Sequence, residues 1–141
     1  MSTLPSVTVA EALGSMPEVI DDMLGEQVLA QCLTAAGLPE NVSSSIGHFI
    51  PEIALNRLLD SAARKSGDEF FGLVLVDRLS VKEYGVWGQY ILEAPTLISA
   101  LKRAVSIIHL HADSDKLSLR VDRSSTFFEY TFGERTERGY P

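Results

Sequence analysis

The first 56 residues contain no lysine and no arginine. They hold seven acidic residues, so the whole formal charge of -7 at pH 7 lies there, and from Arg57 onward the two signs balance at 12 each. Nucleic-acid binders present a basic face, because phosphate neutralisation supplies most of their non-specific affinity. No such face is written into this chain, and no nucleic-acid binding by the chain alone is expected. Cysteine is nearly absent: Cys32 alone excludes an internal disulfide framework and suits a reducing cytoplasm. Long hydrophobic runs are also missing. Nothing approaches the roughly 20 apolar residues of a membrane helix, and the N-terminus lacks the basic segment and apolar core of a secretory signal. No membrane association is expected, and the chain is placed in the cytoplasm.

Catalytic patterns are equally scarce. No Gly-x-Ser-x-Gly or Cys–His arrangement supplies a nucleophile with a base. Ser43 to Ser45 read as loop, while Asp21-Asp22 and Asp68-Glu69 fall at helix starts, where the macrodipole favours negative charge. Gly85 and Gly88 lack the strand, loop and lysine of a phosphate cradle. His109-x-His111, followed by Asp113 and Asp115, invites a metal reading. Residues two apart on a helix point about 200° from each other, however, and chelate one ion poorly. No enzyme activity, metal or cofactor is expected.

What is present is enough for a globular core. With 141 residues, 45% of them hydrophobic and 22% charged, the composition fits one soluble domain. Residues 1 to 16 read as a loose arm, and a short helical turn follows from Pro17 to Leu24. Val28, Leu29, Cys32, Leu33 and Ala36 mark one face of a helix that ends at Gly37. Cys32 lies in that stripe and reads as a buried structural thiol. His48 to Ile50 is extended before Pro51, which opens a helix with Ala54, Leu55, Leu58, Leu59 and Ala62 on one side, ending at Gly67. Asp68 caps a short apolar segment, Phe70 to Val76, which reads as helix or buried strand, with a short helix running into an extended exit preferred.

The stretch Tyr84 to Arg103 joins two apolar helical patterns through an Ala94-Pro95 break. Ser80 and Glu83 form a capping-box pattern ahead of the first. Leu97, Ile98, Leu101, Val105 and Ile108 mark the face of the second, which ends near Ala112. Alternation over Leu117 to Val121 and the aromatic run Phe127 to Phe132 then predict an antiparallel hairpin. The fold class expected is α+β: several packed helices through the first three quarters, then a β-hairpin. Tyr84, Trp87 and Tyr90 recur every three residues, as one stripe if the segment is helical. That stripe serves either as ordinary core or as the apolar wall of a small-molecule pocket, with an indole N–H or phenol to orient the ligand. His109, one turn beyond Val105, sits at the edge of the core and joins these three as a ligand-pocket candidate.

The run IPEIALNRLLDSAARKSGDEFFGLVL, followed by YGVWGQYILEAPTLISALKRAVSII, resembles the N-terminal effector domain of AraC-type transcription regulators. The resemblance is to the branch that includes ornithine- and arginine-utilisation regulators. It is carried by Ile50-Pro51, Arg57-Leu58-Leu59, Gly67-Asp68, Phe71-Gly72-Leu73, Gly85, Gly88, Pro95-Thr96-Leu97 and Ala100-Leu101, and it spans about residues 26 to 138. Residues 1 to 25 then form an arm with its short helix, and 139 to 141 a tail. The resemblance implies an effector domain for a small metabolite, followed in full-length relatives by a helix-turn-helix domain that binds promoter DNA. The chain ends before that domain, and the effector domain is expected to be incomplete and to self-associate as a homodimer. A stand-alone binding or interaction module with no DNA role is the alternative.

Overall fold

The computed structural model describes residues 4–133, so the polar tail beyond Gly133 lies outside the described residues. Six α-helices and two antiparallel strand pairs stand among them, an α+β arrangement. Helices α1 (Met16–Leu24), α2 (Glu26–Ala36), α3 (Glu52–Ser66) and α4 (Phe71–Val76) enclose the larger core. The amphipathic pattern explains which faces turn inward: Cys32, Leu33 and Ala36 from α2, Ala54, Leu58 and Ala62 from α3, Phe71 and Leu75 from α4. The Cys32 thiol is fully buried. Opposite that face, Asp60 and Arg64 of α3 pair across one turn at 2.8 Å.

Helices α5 (Gly85–Leu92) and α6 (Leu97–His111) carry a second, smaller cluster built from Ile91, Ala104, Ile108 and Leu117, with Trp87 and Val105 against it. The break between them is set as the proline predicts, with Thr96 capping α6 by accepting from the Ser99 N–H at 3.2 Å. The buried face of α6 differs from the expected one. Leu97 is 76% exposed, and the inward stripe runs Ala104, Ile108, His111. The Ser80/Glu83 capping box is present but starts a 3₁₀ turn, Val81–Glu83, before α5.

Both glycines of this region have a local reason. Gly85 adopts φ +63°, the left-handed region that lets the chain leave Tyr84 and enter α5. Gly88 passes so close to the Val81 carbonyl that a Cβ there would collide with its oxygen.

One expectation is corrected at the N-terminus. The arm is not loose: β1 (Val7–Val9) pairs antiparallel with β2 (Phe49–Pro51), Thr8 opposite Ile50. Three β-branched residues favour this conformation, but the partner lies some forty residues away and has no local signature. The other side of β1 is also engaged. Asp113 N–H donates to the Val7 carbonyl at 3.1 Å, and the buried Thr8 hydroxyl donates to the His111 carbonyl at 2.7 Å. Just before β1, the Ser6 carbonyl accepts from the Glu52 N–H at 2.9 Å. The first residues thus tie the start of α3 to the end of α6.

The hairpin is formed by β3 (Lys116–Val121) and β4 (Thr126–Thr131), in register from Lys116 opposite Thr131 to Val121 opposite Thr126. No helix among the described residues is long and apolar enough to cross a membrane.

Candidate functional site

A cavity of about 470 Å³ lies where the two cores and the hairpin meet. That is within the range of small-molecule sites. Aliphatic side chains of α1, α3 and α4, among them Met16, Leu55, Leu59 and Leu73, line one part of it. Tyr84, Trp87, His111, Tyr130 and Phe132 bring rings to the rest, and Thr8, Glu52 and Asp115 supply further polar groups.

Each ring is positioned by its element. Tyr84 precedes α5 and meets Trp87 edge-on, with centroids 6.4 Å apart. Trp87 stacks on His111 at 4.8 Å and 26°. Its indole N–H donates to the Ala104 carbonyl at 3.3 Å, so Trp87 presents a ring surface and the N–H is already used within the fold. Tyr130 and Phe132, from β4 and the residue after its end, lie 4.6 Å apart on the hairpin side.

The carboxyl groups form the polar end. Glu52, the first residue of α3, is 6% exposed. Ser114 hydroxyl donates to its Oε2, and the Tyr130 hydroxyl donates to Asp115 Oδ2, both by short contacts. Asp115 Oδ1 accepts from the Gly133 N–H at 2.9 Å. Burial, then hydrogen bonding to Asp115, pushes the Glu52 pKa up to about 7, against the opposing effect of Ser114 and with Asp115 and Asp113 adding negative field. The Glu52 carboxyl, desolvated beside Asp115, therefore keeps its proton up to about neutral pH.

His111 moves the other way. Burial lowers its pKa, against the opposing fields of Asp115 and Glu11, and its ring is neutral at neutral pH. Burial, with the charge of Glu83 adding to it, raises the pKa of Tyr84. Glu11 lies nearby: one oxygen accepts from the Gly47 N–H at 2.9 Å, while Oε2 is buried without a hydrogen-bond partner among the described residues.

Of the four candidates read from the sequence, the fold brings Tyr84 and Trp87 to the cavity and leaves Tyr90 and His109 outside it. Positions three apart on an α-helix drift by about 60° per step, so the third member of such a stripe has turned away from the first. Tyr90 is 38% exposed, with the Arg103 guanidinium 4.6 Å from its ring centroid and donating to its carbonyl at 2.8 Å. His109 is exposed, because the inward stripe of α6 passes through Ile108 and His111.

His111 was legible in retrospect, since Ala104, Ile108 and His111 follow i, i+4, i+7. Glu52 and Asp115 carried no local signal: an acid at a helix start and an acid in a turn are ordinary surface features. No group of three or more His, Cys, Asp or Glu able to hold a metal ion occurs among the described residues.

None of the curated proteins matches the chain. A family model does, over residues 28–140: the arabinose-binding N-terminal domain of the AraC transcription regulator. The match covers most of the chain and includes α3 to α6, the hairpin and every ring of the cavity. The chain belongs to the family of arabinose-binding N-terminal domains of AraC transcription regulators.

Proposed function

We propose that this chain is the effector-binding and dimerisation domain of a cytoplasmic AraC-type transcription regulator, of the ornithine- and arginine-utilisation branch. It controls promoter binding by a C-terminal helix-turn-helix domain outside this sequence. The family is a regulatory ligand-binding one, not an enzyme family. The observation that carries the reading is the cavity of about 470 Å³ bordered by both cores, inside the family-matched segment except for its contacts with Thr8, Ala12 and Met16. A ligand held there touches α3, α5, the end of α6 and the hairpin at once, so it favours one arrangement of these elements over others.

Dimerisation is supported by exposed apolar side chains, Phe70 and Val74 around α4 and Phe127 and Phe128 of β4. The even sign balance after Arg57 fits a chain that leaves DNA contact to another domain.

Thermal-shift screening of the purified chain against amino acids, sugars, amines and fatty acids tests the effector role. A ligand of the folded state raises Tm as mass action requires. A full screen without a shift overturns the effector role. Equilibrium sedimentation tests the second role: a monomer at every accessible concentration removes dimerisation.

A further inference from the structure

The carboxyl groups of the cavity are not spread around its wall. Glu52 and Asp115 stand together at one end, while the region lined by Met16, Leu55, Leu59 and Leu73 is aliphatic. A polyol needs donors and acceptors on all sides, and the aliphatic part of this wall offers none. No lysine or arginine is among the described lining residues. Among the described residues an anionic ligand would therefore meet two carboxyl groups and no counter-charge to offset its desolvation. His111, held neutral by burial, supplies none either.

The rings complete the pattern. Tyr84 and Trp87 come from the α5 side and Tyr130 from the hairpin, and the Tyr130 hydroxyl is bonded to Asp115 itself. Aromatic faces next to carboxyl groups attract an organic ammonium both by the ring quadrupole and by ion pairing. Resting on the effector-binding reading above, we propose that the cavity takes an organic amine in its ammonium form, with an apolar body against the aliphatic wall and the ammonium at Glu52 and Asp115.

Without a ligand the Glu52 carboxyl holds a proton, hydrogen-bonded to Asp115. An ammonium supplies N–H donors to the same oxygens, so binding displaces that proton to solvent. Among the described residues, Glu11 adds negative field at His111, and the groups around Glu52 have the following parts. Asp115 and Asp113 add negative field, Ser114 donates to Glu52, Tyr130 donates to Asp115, and His111 and Tyr84 remain neutral. Affinity for an amine thus rises with pH through the range in which the Glu52 proton is lost, about pH 7.

The test uses three probes with one body: tryptamine, tryptophol and indole-3-acetate, titrated calorimetrically into the full chain. Tryptamine is expected to bind roughly tenfold or more tightly than the alcohol and the acid, a gap typical of losing a charged contact. It should also release a proton, read as a buffer-dependent enthalpy. Glu52→Gln, checked for folding by circular dichroism, should lose that preference, with tryptamine no longer ahead of tryptophol; Asp115→Asn is the second variant should the first misfold. Equal or tighter binding of indole-3-acetate overturns the proposal, and so does an unchanged tryptamine affinity in both variants. If sugars or carboxylates bind and no amine does, this proposal falls and the effector role stands. If no compound of any class binds, both fall.

Discussion

The two hydrophobic clusters of this chain are unequal in depth. The first is sealed: Leu13, Ile20, Leu58, Phe71 and Leu75 are each 2% exposed or less. The second rests on Ala104, Ile91, Ile108 and Leu117, the last three between 7% and 9% exposed, with a hairpin whose outer residues are all open to solvent. Local stability follows buried contact. The helical body therefore acts as a fixed wall, and α5, α6 and the hairpin form the part whose equilibrium a ligand can bias. The cavity borders both, so a bound molecule stabilises the shallow side by attaching it to the deep one.

The largest expected effect sets the two clusters against each other. Leu58→Ala should cost roughly 3–5 kcal/mol, the upper range for a sealed aliphatic site, and Ile108→Ala roughly 2 kcal/mol, the lower limit, because its surroundings are open enough to relax. Urea unfolding of both variants measures this. Equal losses would mean that the second cluster is as firmly held as the first, and the division into wall and moving part would fail.

Glu52 stands on the border, and its effect is read against pH. The carboxyl ionises near 4.5 when unfolded and near 7 in the fold, so the folded state holds the extra proton between those values. Its contribution to stability is present below about 4.5 and is lost as pH rises through about 7. Glu52→Gln should match the parent in acid and exceed it by on the order of 2 kcal/mol above neutrality. His111 acts oppositely: its pKa is lowered in the fold, so its contribution is present above 6.5 and is lost as pH falls through the folded value. Thermal unfolding across pH separates the two, since only the loss on raising pH from 4.5 to about 7 should vanish in the glutamine variant. The same substitution that stabilises the border should weaken amine binding.

The sequence was most readable where periodicity and end signals agree. Helices α2 and α3, with Gly37 and Gly67 at their ends, and the hairpin from Leu117 to Phe132 needed no tertiary knowledge. The pairing of Val7–Val9 with Phe49–Pro51 did, because three-residue strands carry almost no pattern and their partners were far apart in sequence. The site divided in the same way. Tyr84 and Trp87 stood out as aromatics beside Gly85 and Gly88, while Glu52 and Asp115 became a site only by converging from α3 and from the turn before β3.

The tie through β1 gives a smaller effect with a directional readout. Thr8→Val keeps the shape and removes the donor to the His111 carbonyl, which should cost about 1–2 kcal/mol. Because that bond joins the arm to the end of α6, amide exchange should quicken in α6 and β3 more than in α2. Uniform quickening would show the two clusters to be one cooperative unit.

The smallest effect separates Tyr90 from its neighbours in the stripe. Its ring meets the Arg103 guanidinium at the surface, while the hydrogen bond from Arg103 goes to its backbone carbonyl, which any side chain retains. Tyr90→Ala should thus cost less than about 1 kcal/mol, the worth of an exposed cation–π contact. Tryptamine affinity should stay within about twofold of the parent, a change too small for the loss of a ring from a desolvated contact. Trp87→Phe, by contrast, removes the donor to Ala104 and shrinks the surface stacked on His111, and should weaken the amine visibly. If Tyr90→Ala weakens binding as much as Trp87→Phe, the ligand reaches the outer face of α5, and the boundary between cavity wall and surface lies one helical turn further out than the rings indicate.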